Sequence, residues 1–326
     1  MRSVRLLFLL LLVLGATAAY YLLLPYGPSA ETFVDIPAGT GTSGIATRLE
    51  ASGILRSRYP FEILRTVKGG TLHAGEYRFT EPATPAQIYA RIARGDVYTR
   101  TLVVPEGFNI FDIAQAVQNA GLGDSQDFLA AARRNTQLIA DLSPHAVSLE
   151  GFLFPDTYRF SRHTTHDQMV AAMVKRFRQV GTQLHLLNPD IARTVILASI
   201  IEKEVRVDPE RPLVAGVFTN RLASGMPLAT DPTVIYAALL DGRWRGTIHQ
   251  SDLNAPSPYN TYRHPGLPPG PIANPGIAAL RAAVNPARTP FFFFVADAQG
   301  HSQFSVGLKE HSQQVQSYRA AEKGRE

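Results

Sequence analysis

The chain contains no cysteine. Disulfides, thiol nucleophiles and cysteine-held zinc are therefore excluded, and the redox compartment stays open. The histidines are dispersed. His163 and His166 lie close together, but no His-Glu-x-x-His pattern occurs, so no metal centre is expected. There is no run of lysine and arginine with interleaved aromatics. The net charge of +5 is scattered over 326 residues, which gives a nucleic-acid partner no footprint. That length can hold two or three domains and a sizeable core.

One stretch lacks charge altogether. Arg2 and Arg5 precede Leu6 to Leu24, an apolar run about long enough to cross ~30 Å of hydrocarbon as a helix. Pro25 and Gly27 end it, and Tyr20, Tyr21 and Tyr26 suit an interface. The expectation is a single-pass anchor over 6–24, with residues 1–5 cytoplasmic and the remainder exported. Ala16-Thr17-Ala18 offers the competing reading, a cleaved signal peptide. The apolar run continues past that site, which favours the anchor. Export argues against ATP and nicotinamide chemistry, and no cofactor is expected.

Beyond a short polar linker, Phe33 to Pro37 alternates as a strand, Gly39 and Gly41 turn the chain, and Ile45, Ala46 and Leu49 begin an amphipathic helix ended by Gly53. The pattern returns 68 positions later: Ile36-Pro37-x-Gly39 matches Val104-Pro105-x-Gly107. Ile45-Ala46 matches Ile113-Ala114, Leu49 matches Val117, and Gly53-Ile54 matches Gly121-Leu122. Several matches at one offset indicate a duplicated strand-turn-helix unit. Between the copies, Ala74 to Phe79 reads as a strand and Thr84 to Arg94 as a short helix. This region resembles a LysM-like module, a class that binds N-acetylated glycans. Glycan binding and a spacer role both remain open.

The chain is organised around Val195-Ile196-Leu197-Ala198-Ser199-Ile200-Ile201-Glu202-Lys203-Glu204-Val205. At about 100° per residue, Glu204 shares a helix stripe with Leu197, Ile200 and Ile201, whereas Glu202 lies beside Val195 and Ala198. A carboxyl ending a buried apolar stripe loses hydration, which favours its protonated form. A general acid needs that proton near neutral pH. The plain alternative is that both glutamates sit in solvent at a helix end. Glu150 and Asp156, in the aromatic stretch Leu149 to Phe160, read as turn or cap residues.

Asp208-Pro209 and Thr230-Asp231-Pro232 carry helix-start signals. The first of these helices carries Asn220 and Arg221 near its end. Ala255 to Gly276 holds seven prolines and three glycines in 22 residues, with Tyr259, Asn260, Thr261, Tyr262 and Asn274 among them. A disordered linker would be poorer in aromatics. Ring faces beside amides suit sugars, so this segment reads as an ordered binding loop. Thr289 to Ala296 is too apolar for the surface and reads as a central strand, paired across 297–301 with Phe304-Ser305-Val306. Glu310 to Lys323 reads as a polar terminal helix.

These residues together resemble the YceG-like family, the endolytic murein transglycosylases. The motifs are Leu149-Glu150-Gly151-x-Leu153-Phe154-Pro155-Asp156-Thr157-Tyr158, Ala198-Ser199-Ile200-Ile201-Glu202-Lys203-Glu204 and Val217-Phe218-x-Asn220-Arg221-Leu222. Thr230-Asp231-Pro232-Thr233-Val234-Ile235-Tyr236, Tyr259-Asn260-Thr261-Tyr262 and Gly266-Leu267-Pro268-Pro269-Gly270-Pro271-Ile272 continue the match, and Phe294-Val295-Ala296-Asp297 also fits. The resemblance implies an α+β protein of the inner membrane. It would comprise a transmembrane helix, a LysM-like α/β module over 33–98 and a mixed α+β catalytic domain over 99–326 in the periplasm. It implies a lyase that cuts peptidoglycan glycan strands internally, leaves 1,6-anhydro-N-acetylmuramic acid ends and terminates strands beside penicillin-binding synthases.

The family's catalytic glutamate falls on Glu204, the residue the stripe argument selects. Tyr259, Asn260, Thr261 and Tyr262 are expected to line glycan subsites. Asn220 and Asp231 either orient Glu204 and the acetamido groups or serve as caps and loop anchors, and Glu202 is expected as a salt-bridge partner supporting the site. Two rivals stand beside this reading. One is a wall-binding scaffold without catalysis. The other is a hydrolase in which Glu150 or Asp231 supplies a second carboxylate.

Overall fold

A computed structural model describes residues 2–188, 190–205, 207–297 and 301–323. The chain divides into two units, 1–100 and 101–326. The first begins with α1 (Arg2–Leu22), of which Val4–Leu22 is long and apolar enough to cross a membrane, with none of it buried. The tail expected over 1–5 includes Met1, which lies outside the described residues. Then come β1 (Thr32–Ile36), α2 (Thr42–Ala51), α3 (Tyr59–Lys68), β2 (Gly75–Phe79) and α4 (Pro85–Ala93). β1 and β2 pair antiparallel, Val34 opposite Tyr77. Alternation puts Val34, Ile36, Tyr77 and Phe79 on the side that packs with Ile45, Leu49, Phe61 and Ile88. The sequence reading placed each of these elements except α3. In α3 Phe61 is buried while Tyr59, Ile63 and Val67 are exposed, so its apolar residues do not form the single stripe that marks an amphipathic helix in sequence.

β3 (Arg100–Val103) begins at the boundary, and the second unit goes on through α5 (Ile110–Asn119), α6 (Ser125–Arg134), β4 (Thr157–Phe160), α7 (His166–Gln183), α8 (Ile191–Glu204) and α9 (Arg211–Ala223). It continues with α10 (Asp231–Leu240), α11 (Gln250–Leu253), α12 (Ile277–Val284), β5 (Phe293–Ala296), β6 (Ser302–Ser305) and α13 (Leu308–Lys323). The result is a mixed α+β architecture with helices around α8. Val195, Ala198, Ile200 and Ile201 are buried, and the helix packs against α9, α10 and α12. α8 is therefore apolar on most of its circumference, not on one stripe.

Two expectations need correction. Asp208 does not open a continuous helix: residues Asp208–Glu210 form a 3₁₀ turn, and α9 starts at Arg211. The Asp208 carboxylate accepts from Arg211 Nε at 2.9 Å instead of capping. The phenylalanine run is not a central strand either. Among the described residues β5 pairs only with β6, in a two-stranded antiparallel sheet, and none of its side chains is fully buried. The rings find aromatic partners: Phe291 stacks on Phe304, Phe294 meets Phe218 edge-on, and Phe293 stacks on His311 of α13. The tip of this hairpin, 298–300, lies outside the described residues.

Candidate active site

Glu204 is the last residue of α8, and its side chain is partly buried. Among the described residues no hydrogen bond reaches its carboxyl. Burial, first, and the neighbouring Asp231 carboxylate, second, push that carboxyl up to about 7, while the Arg221 guanidinium pulls the other way. At neutral pH such a group is present both with and without its proton, as acid-base work requires.

Each neighbour has a structural reason for its place. Asp231 is the first residue of α10, where a negative side chain suits the positive helix end. Its Oδ1 accepts from the Tyr262 hydroxyl at 2.7 Å. Burial and, after it, that contact push the phenol well above its usual range, so Tyr262 keeps its proton. Arg221 is fixed from behind: Nε donates to the Phe292 carbonyl and Nη1 to the Leu228 carbonyl, each at 2.6 Å. The guanidinium lies over the Phe293 ring, 5.2 Å from its centre. Glu204, Asp231, Tyr262 and Arg221 thus form one electrostatic cluster.

Glu202, two residues away, has a different environment. Its Oε1 pairs with Arg211 at 2.9 Å, both side chains being almost fully buried, and its Oε2 accepts from Gly276 N at 2.9 Å. It ties α8 to α9 and to the proline-rich loop. Glu106 stands beside it, its carboxyl raised by burial and by the Glu202 charge.

The loop over 255–276 is ordered by inward polar groups. Asn260 is fully buried, and its amide donates to the carbonyls of Leu253 and Ala255 at 2.9 and 3.0 Å. Its Oδ1 accepts from Tyr262 N. The Thr261 hydroxyl bonds that of Thr233 at 2.8 Å and accepts from Thr230 N. Asn220 is likewise occupied, donating to the carbonyls of Thr289 and Phe291. These three side chains are spent on holding the loop and its neighbours, and Tyr262 is the loop residue that interacts electrostatically with Glu204. Tyr259 faces elsewhere. It packs against Tyr236 and borders a separate cavity of about 280 Å³ with Glu150, Ile196 and Pro271 on its wall.

Glu150 is the residue the sequence reading undervalued. It is buried, and it accepts from Ile110 N, the Tyr236 hydroxyl and Asn274 Nδ2, each at 2.9 Å. Burial raises it to about 8 despite those donors. Asn274 in turn accepts from Leu153 N and donates to the Phe108 carbonyl. The available signal was its setting: a lone carboxylate between Leu149 and Phe152 is unlike a surface turn. Among the described residues no cluster of His, Asp and Glu could hold a metal.

The fold and site together define a mixed α+β protein with, at the end of a buried helix, a carboxyl that burial raises to about 7 and that no hydrogen bond reaches among the described residues. The class can be stated more narrowly: residues 34–317 match the YceG-like family, and the chain belongs to it. It is 31% identical to the endolytic murein transglycosylase of Bacillus subtilis (strain 168), covering 94% of this chain and 91% of that protein. The protein of the same name from Streptococcus pneumoniae serotype 2 is 30% identical over 95% of this chain, which spans only 63% of that longer protein. A yceG-like protein from Listeria monocytogenes, solved by crystallography, superposes with a TM-score of 0.55 at 32% identity. It covers 88% of this chain and 99% of its own.

Proposed function

We propose that this protein is an endolytic peptidoglycan transglycosylase that uses Glu204 as its one acid-base group. The single observation that carries the reading is the place of Glu204, partly buried at the end of α8 beside Asp231 and Arg221, with no hydrogen bond to its carboxyl among the described residues; that setting pushes the carboxyl up to about 7. The protonated carboxyl gives its proton to the oxygen joining N-acetylmuramic acid to the next N-acetylglucosamine. The C1–O bond breaks through an oxocarbenium-like state. The Glu204 carboxylate then takes the proton of the same sugar's 6-hydroxyl as that oxygen bonds to C1. The 1,6-anhydro ring closes, the glutamic acid is restored and no water is consumed. Arg221 steadies the carboxylate between the two transfers, and Tyr262 with Asp231 forms the polar wall that meets the glycan. Asn220, Asn260 and Thr261 serve substrate binding by holding that wall in shape, and Glu202 by fixing the end of α8. Tyr259 offers a ring to the strand farther along.

Strand termination beside penicillin-binding synthases is proposed on resemblance. So is the topology, in which α1 anchors the chain in the inner membrane and leaves 101–326 in the periplasm. The first unit is proposed as a LysM-like module, for glycan binding or as a spacer.

The test is mass spectrometry of glycan strands digested by the protein. Anhydro ends support the reading, reducing ends indicate a second carboxylate such as Asp231, and no new ends leave a scaffold. Glu204→Gln should lower the rate by about 10²–10⁴-fold without unfolding the chain. Because the acid form starts the reaction, the rate should fall as pH rises through about 7. Removing the Asp231 charge with Asp231→Asn should move that fall to lower pH, since Asp231 helps hold the proton on Glu204.

A further inference from the structure

Helix α3 carries an outward apolar stripe that the proposed function does not use. Tyr59, Ile63 and Val67 are 59%, 56% and 77% exposed. They are spaced by four, so they lie along one face of a ten-residue helix about 15 Å long. From Thr32 to Arg100, they are the only exposed large hydrophobic side chains among the described residues. The opposite face of α3 is spent on the core through Phe61. Such a contiguous exposed apolar stripe is the kind of surface that marks a contact site.

The contacts at the start of α3 say which. Arg56, three residues before Tyr59, donates to the Tyr20 carbonyl at 3.0 Å. Its guanidinium lies 4.1 Å from the centre of the Tyr20 ring and 5.1 Å from that of Tyr26. Tyr26 is itself paired through its backbone with Ala83. The module is thereby fastened to the outer end of α1, at the tyrosines that mark the interface. Leu23 and Leu24, at 69% and 50% exposed, continue the apolar surface there. Around the α3 stripe, Arg58, Arg65 and Lys68 outnumber Glu62. A short helix with an apolar face and basic flanks lies in the headgroup region of an anionic bilayer.

We infer that α3 is a second membrane contact, with Tyr59, Ile63 and Val67 dipping into the leaflet that α1 leaves, so that the module lies on the bilayer. The inference rests on the proposed anchor, and the experiment separates the two.

The full chain is placed in lipid nanodiscs containing phosphatidylglycerol, with Trp244, its one tryptophan, replaced by phenylalanine. A single reporter is introduced by Tyr20→Trp, Ile63→Trp or Asp35→Trp. Lipids with brominated acyl chains quench only an indole at the membrane. Tyr20→Trp and Ile63→Trp should lose most of their emission, and Asp35→Trp, exposed on β1, should keep it. Quenching of Tyr20→Trp without Ile63→Trp overturns the α3 contact and leaves the anchor standing. Unquenched Tyr20→Trp removes the anchor and the inference with it. Equal quenching of Asp35→Trp and Ile63→Trp overturns a specific face. An Ile63→Trp emission that ignores lipid and shifts on adding soluble murein glycan assigns the stripe to sugar.

Discussion

Residues 36–54 and residues 104–122 fold alike, yet among the described residues the second copy is the one hydrogen-bonded to the surroundings of the candidate site. Gly39 and Gly107 have φ of 80° and 78°, and Gly53 and Gly121 have 70° and 65°. Thr40 N donates to the Pro37 carbonyl as Phe108 N does to that of Pro105. Both helices close the same way, Ile54 N bonding to Leu49 and Leu122 N to Val117. Ile45, Ala46 and Leu49 are buried in one core, Ile113, Ala114 and Val117 in the other. The matched glycines and apolar residues thus specify the same backbone twice.

The unmatched polar residues set the copies apart. The helix of the first starts at Gly41 with no side-chain cap, and a Cβ at Gly39 would meet nothing within 4 Å. The second starts at Asn109, which accepts from Phe111 N and Asp112 N while Asp112 bonds back. Gly107 N donates to the Asn274 carbonyl, Lys203 Nζ donates to the Gly107 carbonyl, and Ile110 N donates to Glu150. A duplicated scaffold becomes part of a site when its orphan helix-end donors are met by residues from far away in sequence.

The largest effect on this contrast comes from Glu150. Glu150→Ala strands three buried donors, which only the second copy's surroundings contain. Chemical denaturation should show a loss of about 3 kcal/mol or more; a loss below about 1 kcal/mol would dissolve the contrast. Its protonation adds a pH signature. The folded chain keeps this proton up to about 8, whereas the unfolded chain releases it in the ordinary carboxylate range. Stability should therefore fall as pH rises across that window, and Glu150→Gln should flatten the slope.

The glycine pair gives a middle effect. Both positions need a left-handed backbone, so Gly39→Ala and Gly107→Ala should each cost about 1–2 kcal/mol. Turnover should drop only for Gly107→Ala, because its turn touches Glu202 and Lys203 beside Glu204. Equal turnover in both variants would mean the second turn is only scaffold.

The caps give the smallest effect. Asn109→Ala should cost about 1 kcal/mol of stability, and Gly41→Asn should gain a few tenths. A gain at Gly41 equal to the loss at Asn109 would show that the copies differ less than their caps suggest.

Local rules carried the elements well where a start signal and a glycine stop bracket a periodic run. Thr84 with Gln87 forms a capping box ahead of α4, and Gly95 follows its end. They failed where aromatic partners replaced burial. Phe291 to Phe294 reads as a strand inside a larger sheet, but rings stacked on Phe304 and His311 shield a two-stranded one. They also fell short at Asn260 and Thr261, whose composition suggests sugar contacts and whose hydrogen bonds all turn inward. An amide offers the same donors to a sugar and to a loop carbonyl, so residue type alone does not choose between them.

The sequence by itself determined the apolar helix at the amino terminus, the doubled strand-turn-helix and the place of Glu204 at the end of α8. All three follow from the spacing of apolar residues and glycines along the chain. Only the tertiary structure decided what separates Glu204 from Glu202. Both lie in the last turn of a helix buried on most sides, but Arg211 and Gly276 N hold one as a carboxylate partner, while lost water and then the Asp231 charge raise the other to about 7. Periodicity reports which face is dry. It does not report which charge, brought from a distant segment, will stand there.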